Sequence, residues 1–196
     1  MSNYKISNKR KGLLIVISAP SGCGKTTVVK RLRRGQRIGY SISATTRGRR
    51  TGERHGRDYF FMTVRQFKDG IKRNDFLEWA KVFGNYYGTL KGYVQRLQAQ
   101  GKDVILDIDV QGAQQLMRKG VDATYIFMLP PNVMELKRRL MKRRTDTRAT
   151  IQKRLSLAKK EMACAPRYDY IMVNKKIAET MRVIKMIIQS EKYKTK

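Results

Sequence analysis

Eight residues near the start of the chain, Ala19-Pro20-Ser21-Gly22-Cys23-Gly24-Lys25-Thr26, could cradle a phosphate. They follow the pattern G-x-x-x-x-G-K-[ST], with Ala19 in the first place. Gly22 and Gly24 allow the backbone to curl so that successive N–H groups face an anion. A helix starting at the same point adds partial positive charge. Lys25 is placed to reach β- and γ-phosphates, and Thr26 to hold Mg²⁺ through its hydroxyl. Cys23 reads as a small filler in the loop, not a nucleophile. A second group is Asp107 and Asp109, which end an apolar run. A carboxylate there can hold Mg²⁺ directly or through its waters. Alternation alone leaves open which of the two faces the metal.

These groups need elements to position them. Gly12–Ser18 is a continuous apolar run of strand length, as expected for a strand buried on both faces of a parallel sheet. A helix is expected from Thr26 to Arg34. Val104–Asp109 reads as a second buried strand, followed by helix from Gln111 to Lys119. Thr124–Met128 is a third strand, ended by Pro130-Pro131. Asn132 then stands as an N-cap with Glu135 three residues on. Tyr170–Val173 is a fourth strand. Ile177, Met181, Ile184 and Ile188 form one stripe of a last helix. Alternating strands and helices imply an α/β fold with a parallel sheet, its strand C-terminal ends on one rim. Two regions break the alternation: residues 41–92, rich in aromatics, Gly and Thr, and the basic segment 137–160, helical with a break at Arg144-Thr145-Asp146.

The chain has 196 residues, 41% of them hydrophobic, enough for one domain with a core. It carries 44 Lys+Arg against 15 Asp+Glu, a net charge of +29. Such a surface attracts nucleotides, nucleic acids and acidic lipid heads, but charge alone defines no site. The apolar fraction excludes wholesale disorder. No apolar run approaches 18 residues, so no transmembrane helix and no membrane partner is expected. Two cysteines, Cys23 and Cys164, form no disulfide framework or zinc site and suit a reducing cytoplasm.

Further motifs follow in order: Ser41–Glu53, Gly56–Phe61, Phe76–Ala80 and Phe83–Thr89. Together with the phosphate loop and Asp107–Gly112, the chain closely resembles the guanylate kinase family from Gly12 to about Ile188. The resemblance implies a P-loop three-layer fold with a central parallel sheet, an inserted GMP-binding lobe and a helical lid. It places the core at 1–40, 93–136 and 161–196, the lobe at 41–92 and the lid at 137–160. It implies transfer of the γ-phosphoryl of ATP to GMP, with dGMP as a further acceptor, in purine nucleotide metabolism. ATP with Mg²⁺ and GMP are the expected partners. No specific nucleic acid is expected, and the oligomeric state stays open.

The same resemblance assigns roles. Arg47, Arg50, Tyr59 and Tyr87 would grip the GMP phosphate, since guanidinium forks bind phosphate bidentately. Glu53 would support the arginines. Glu78 would read the base: guanine offers two adjacent donors, N1–H and the 2-amino group, which one carboxylate accepts together. Ser43 and Thr89 would complete base recognition, with Asp109 on the GMP side and Asp107 joining Thr26 at the metal. Thr27 and Asn174 would join Ala19–Thr26 on the ATP side. Arg143 and Arg154 are the expected lid arginines, acting with Lys25 and Arg47 on the transferring phosphoryl. Arg144 stands where the family has Gly.

Overall fold

The computed structural model describes residues 11–34, 38–82, 84–141 and 147–194. Strand β1 (Leu14–Ser18) is buried at every position, as its unbroken apolar sequence requires. It sits at the centre of a five-stranded sheet with β2 (Ile38–Tyr40), β7 (Asp103–Asp107), β8 (Thr124–Leu129) and β9 (Tyr170–Val173), in the order β2-β7-β1-β8-β9. All four pairings are parallel. Side chains alternate between the two faces. Ile15 and Ile17 pack against α1 (Lys25–Leu32) and α7 (Ile177–Glu191), through Val28, Val29, Leu32, Ile184 and Ile188. Leu14 and Val16 face the other way, toward Val94 of α3 (Lys91–Ala99) and Ala113 and Leu116 of α4 (Val110–Arg118). The result is a central sheet covered by helices on both faces.

Parallel register decides what meets at the rim. Ile17 pairs with Asp107, so the end of β1, where the glycine-rich loop begins, lies beside the carboxylate that ends β7. This is the edge on which open α/β sheets bind ligands.

A second sheet, in the order β4-β3-β6-β5, is built from β4 (Phe60–Phe61), β3 (Ser43–Thr45), β6 (Asn85–Leu90) and β5 (Phe76–Val82). It also carries a helix that the strand-like reading of 41–92 missed, α2 (Val64–Lys72). Its signal was present: Thr63 and Gln66 form a capping box, each side chain accepting from the other's backbone N–H. Phe67, Phe76 and Ala44 make this sheet's own small core. Edge strand β2 and helix α3 were likewise unanticipated, both being short and weakly patterned.

Helices α5 (Val133–Met141) and α6 (Arg148–Met162) pack on each other through Leu136, Leu140, Leu155 and Ala158. The Glu135 amide donates to Asn132 at 2.7 Å, as an N-cap at that position demands. The break expected at Arg144-Thr145-Asp146 lies outside the described residues.

Candidate active site

The loop between β1 and α1 is held open by its glycines and by contacts from behind. Gly22 and Gly24 have φ of 92° and 93°, a region that strains other residues. A Cβ on Gly24 would also stand 2.8 Å from the Asn174 side-chain nitrogen. Cys23 is fully buried, and its carbonyl accepts from Asn174 Nδ2 at 2.7 Å and from an Arg139 guanidinium nitrogen at 3.1 Å. In a trans peptide the N–H points opposite to the carbonyl. Pinning the Cys23 carbonyl therefore aims the Gly24 N–H away from Asn174, toward the loop's open side. The first-turn amides at Lys25 and Thr26 have no intrahelical acceptor and extend the same donor set.

Asn174, expected on the ATP side, lies behind this loop. It is 2% exposed, and its side-chain oxygen accepts from the Thr180 hydroxyl at 2.9 Å. Both ends of its amide are thus engaged within the protein. Ala19 is buried, and Thr26 and Thr27 are exposed at the helix start. Pro20 is buried while Ser21 is exposed.

Lys25 reaches across the rim. Its ammonium lies 2.9 Å from Asp107 Oδ1 and also donates to the Ile108 carbonyl. Asp107 and Ile108 line a cavity of about 250 Å³, whose wall includes Ser43, Tyr59, Glu78, Tyr87 and Asp109. The loop lysine therefore touches the wall of the same cavity that Glu78 lines. A cleft of about 610 Å³ opens at the opposite edge of the sheet, beside Leu13, Gln98 and Thr124, and contains none of these groups. Asp109 caps α4, accepting from the Gly112 amide at 2.8 Å. The geometry thus separates the two aspartates that the sequence left undivided.

Glu78, Thr89 and Ser43 are directly opposite one another across β5, β6 and β3. A bulge makes this possible. Phe76 pairs with Leu90, and Glu78, not Leu77, pairs with Thr89. Extra residues of this kind re-aim a side chain beside a site. Glu78 is 6% exposed and accepts from the Thr89 hydroxyl at 2.6 Å. Burial pushes its carboxyl from an ordinary 4.5 up to about 7, opposed by the Thr89 hydrogen bond and aided by the nearby charge of Asp109. Helix α4 runs close behind: a Cβ on Gly112 would stand 2.7 Å from Glu78 Oε2. The edge of β5 is closed by α4 itself, since the Gln115 side chain donates to the Trp79 carbonyl at 2.8 Å and accepts from its N–H at 3.3 Å.

At the cavity's other end, Arg47 bonds Glu53 at 2.7 Å and stands 5.3 Å from the Tyr59 ring centre. Tyr59 and Tyr87 meet edge to face at 6.3 Å. The Arg50 amide donates to Glu53 at 2.9 Å, while its side chain is in solvent. The hydrogen bond from Arg47 holds the Glu53 carboxyl below its usual range. Burial raises the Tyr59 phenol, which stays a donor. Arg154 is half-buried on α6, and Arg143 lies outside the described residues.

A family model described as guanylate kinase matches residues 11–191. The chain belongs to the guanylate kinase family. A protein named guanylate kinase from Clostridium tetani is 49% identical over 182 residues, covering 93% of this chain and 88% of that one. One from Thermotoga maritima is 42% identical over 185 residues, covering 94% and 89%. The crystal structure of guanylate kinase from Anaplasma phagocytophilum superposes with a TM-score of 0.76 at 34% identity, covering 95% of this chain and 89% of that one.

Against the guanylate kinase pattern, sequence reading overlooked three groups in this site. Arg139 was one cation in a basic run; only its spacing from Glu135, at 2.8 Å one turn back, hinted that it was ordered. Gln115 resembled any polar helix residue. Gly112 was quoted within a motif, but its proximity to Glu78 required coordinates.

Proposed function

We propose that this guanylate kinase family member transfers the γ-phosphoryl of ATP to GMP, and to dGMP as a further acceptor. The observation that carries this reading is the cavity wall shared between Lys25, through Asp107 and Ile108, and the buried acid Glu78. A phosphate cradle and a purine-reading carboxylate on one small cavity suit direct transfer between two nucleotides. In the sequence's terms, 41–92 acts as the GMP lobe, 137–160 as the lid, and the remainder as the core. The expected compartment is the cytoplasm; among the described residues, no helix is long and apolar enough to cross a membrane.

GMP docks with N1–H and its 2-amino group on Glu78, supported by Ser43 and Thr89. Its phosphate lies toward Arg47, Arg50, Tyr59 and Tyr87, with Glu53 holding Arg47 in place. An oxygen of that phosphate attacks the γ-phosphorus of ATP. The new P–O bond forms as the bond to the β-phosphate oxygen breaks, and ADP leaves. No side chain forms a covalent bond, so catalysis rests on positioning and charge stabilisation. Lys25, Arg47, Arg143 and Arg154 face the charge that spreads over the transferring group. Asp109 serves through α4, whose start it caps beside the base site.

The donor set fits a hard divalent cation. Asp107 offers a carboxylate at the rim, and Thr26 a hydroxyl on the first turn of α1. Two oxygen ligands suffice for Mg²⁺ when phosphates and water fill the rest. The ion would screen phosphate charge. Asp107 is engaged by Lys25 in this structure, so Lys25 must yield part of that contact for Asp107 to serve the ion.

The direct test is ADP release with GMP, AMP and CMP as acceptors. GMP should support turnover at least ~100-fold better than AMP, because adenine leaves the buried carboxylate facing a lone pair. Equal rates with all three would reject the reading.

A pH dependence follows from Glu78. Guanine's two donors need the ionised carboxylate. Its carboxyl is raised to about 7 by burial, so the ionised fraction falls below that pH. KM for GMP should rise ~10-fold for each pH unit below about 7 and level off above it. Initial rates at saturating MgATP between pH 5.5 and 8.5 would measure this. A flat profile would mean that the base does not meet an ionised Glu78.

A further inference from the structure

Glu78 stands at an irregular point of an edge strand, where sheet pairing does least to fix it. The sheet order leaves β5 bonded to β6 on one side only. The pairing skips Leu77: Phe76 meets Leu90 and Glu78 meets Thr89. A bulge of this kind leaves its extra residue unpaired and disrupts the ladder locally. Helix α4 supplies the missing hold from the open edge. The Lys119 ammonium donates to the Leu77 carbonyl at 2.8 Å. The Gln115 side chain accepts from the Trp79 N–H at 3.3 Å and donates to the Trp79 carbonyl at 2.8 Å. Leu77 itself packs against the core cluster that contains Ala113 and Leu116 of α4.

These contacts fall on both sides of Glu78. The Leu77 carbonyl belongs to the peptide before it, and the Trp79 N–H to the peptide after it. Peptide groups are planar, so a residue between two fixed planes keeps its φ and ψ, and with them the direction of its Cβ. With one amide, Gln115 does what the backbone of a neighbouring strand would do, meeting a donor and an acceptor of the edge. The carboxylate is seated separately. One oxygen accepts from the Thr89 hydroxyl at 2.6 Å. The other lies over Gly112, where a Cβ would stand 2.7 Å from it, so a glycine is what leaves it room on the helix surface. Helix α4 begins three residues after Asp107, which Lys25 meets at 2.9 Å. The helix that holds Glu78 is therefore anchored beside the phosphate loop.

We infer that Gln115 is a positioning residue for base recognition: through the Trp79 backbone it holds Glu78 so that the carboxylate is aimed into the cavity before GMP arrives, while Gly112 keeps the space that the second oxygen needs. This rests on the proposed GMP site and on the base-reading role of Glu78. Neither Gln115 nor Gly112 lines the cavity, so each acts on the nucleotide only through Glu78.

The test measures GMP and ADP binding by calorimetry in Gln115→Met, Gly112→Ala, Glu78→Gln and the double variant joining Gln115→Met to Glu78→Gln, with melting curves to establish folding. Methionine keeps the volume of Gln115 but makes neither bond. Gln115→Met should weaken GMP binding about tenfold, the scale of one lost hydrogen bond, and leave ADP binding within about twofold. Gly112→Ala should weaken GMP binding by a similar factor. Alanine favours a helix, so this variant decides the matter if Gln115→Met does not fold. On the Glu78→Gln background, Gln115→Met should change GMP binding by less than about twofold, because no carboxylate is left to aim. A general loosening of the fold would instead weaken ADP as well, or weaken GMP equally on both backgrounds. Either result would overturn the inference, as would unchanged GMP binding in folded Gln115→Met or in Gly112→Ala. If Glu78→Gln binds GMP as tightly as the native protein, the base-reading role falls and takes this inference with it. If Glu78→Gln binds weakly and Gln115→Met does not, only the role of Gln115 falls. A native protein that binds GMP without phosphorylating it would sink the proposed reaction, while the binding comparison still decides Gln115.

Discussion

Replacing Lys25 with Met should lower turnover by ~100-fold or more, the scale of losing one preorganised donor at a developing charge. Lys25 occupies the one place where the loop meets the cavity wall, touching Asp107 and the Ile108 carbonyl. It is the one cationic side chain within Ala19–Thr26. Methionine preserves the stem's packing but removes the charge. The substitution also leaves Asp107, whose side chain is 13% exposed, without its partner. An unpaired carboxylate there should hold a cation more readily, so loss of metal binding would not explain a slow enzyme. The distinguishing measurement is single-turnover phosphoryl transfer at saturating ATP and GMP. A rate within tenfold of the native value would mean that the loop does not act on the transferring group.

Replacing Glu78 with Gln should collapse the preference for GMP over AMP by about two orders of magnitude. The Gln oxygen can still accept from the Thr89 hydroxyl. Its amino group then confronts guanine's two donors and suits the bare N1 of adenine. The same variant should be more stable without nucleotide at alkaline pH. Glu78's carboxyl is raised from 4.5 to about 7, so the folded protein binds its proton more tightly than the unfolded chain does. Stability associated with that proton is complete below about pH 4.5 and is lost as pH rises through about 7. Removing the ionisable group should recover on the order of 3 kcal/mol at pH 8. Denaturant melts of both proteins at pH 5 and pH 8 test this. A variant that lost selectivity but gained nothing at pH 8 would contradict the burial of Glu78 as a charge. The site, on this view, trades stability for an acid that only its substrate satisfies.

Much of the architecture was legible because burial on both sides leaves an unmistakable mark on sequence. The apolar runs around Leu14–Ser18, Val104–Leu106 and Thr124–Leu129 could hardly be anything but central strands. Tyr170–Val173 was legible despite its exposed edge, because turns bracket it. Edge strand β2, three residues long, leaves no such mark. Helix α2 was hidden among aromatics, although Thr63 and Gln66 announced its start.

For the site, the loop motif nominated Lys25, and the family resemblance nominated Glu78, Arg47, Tyr59 and Tyr87. They could not say how the groups are aimed. The bulge before Glu78 is a register event between two strands, and register is set by pairing. The difference between Asp107 and Asp109 is likewise one of direction: one side chain meets Lys25 and the other turns back to cap α4. Asn174 shows what residue type leaves out. Its type suited a nucleotide contact, but Cys23 and Thr180 use both ends of its amide. Supporting contacts such as Gln115 with Trp79 join positions 36 residues apart, and neither residue type predicts the other.

The sulfur at the heart of the loop has a consequence of its own. Cys23 is fully buried, and burial pushes its thiol up to about 12. At neutral pH only ~1 molecule in 10⁵ would carry the thiolate that peroxides and electrophiles attack. A cysteine in a nucleotide cradle would ordinarily make an enzyme vulnerable to oxidative stress. Here it sits beyond the reach of such reagents, so activity should persist under oxidants that modify the partly accessible Cys164.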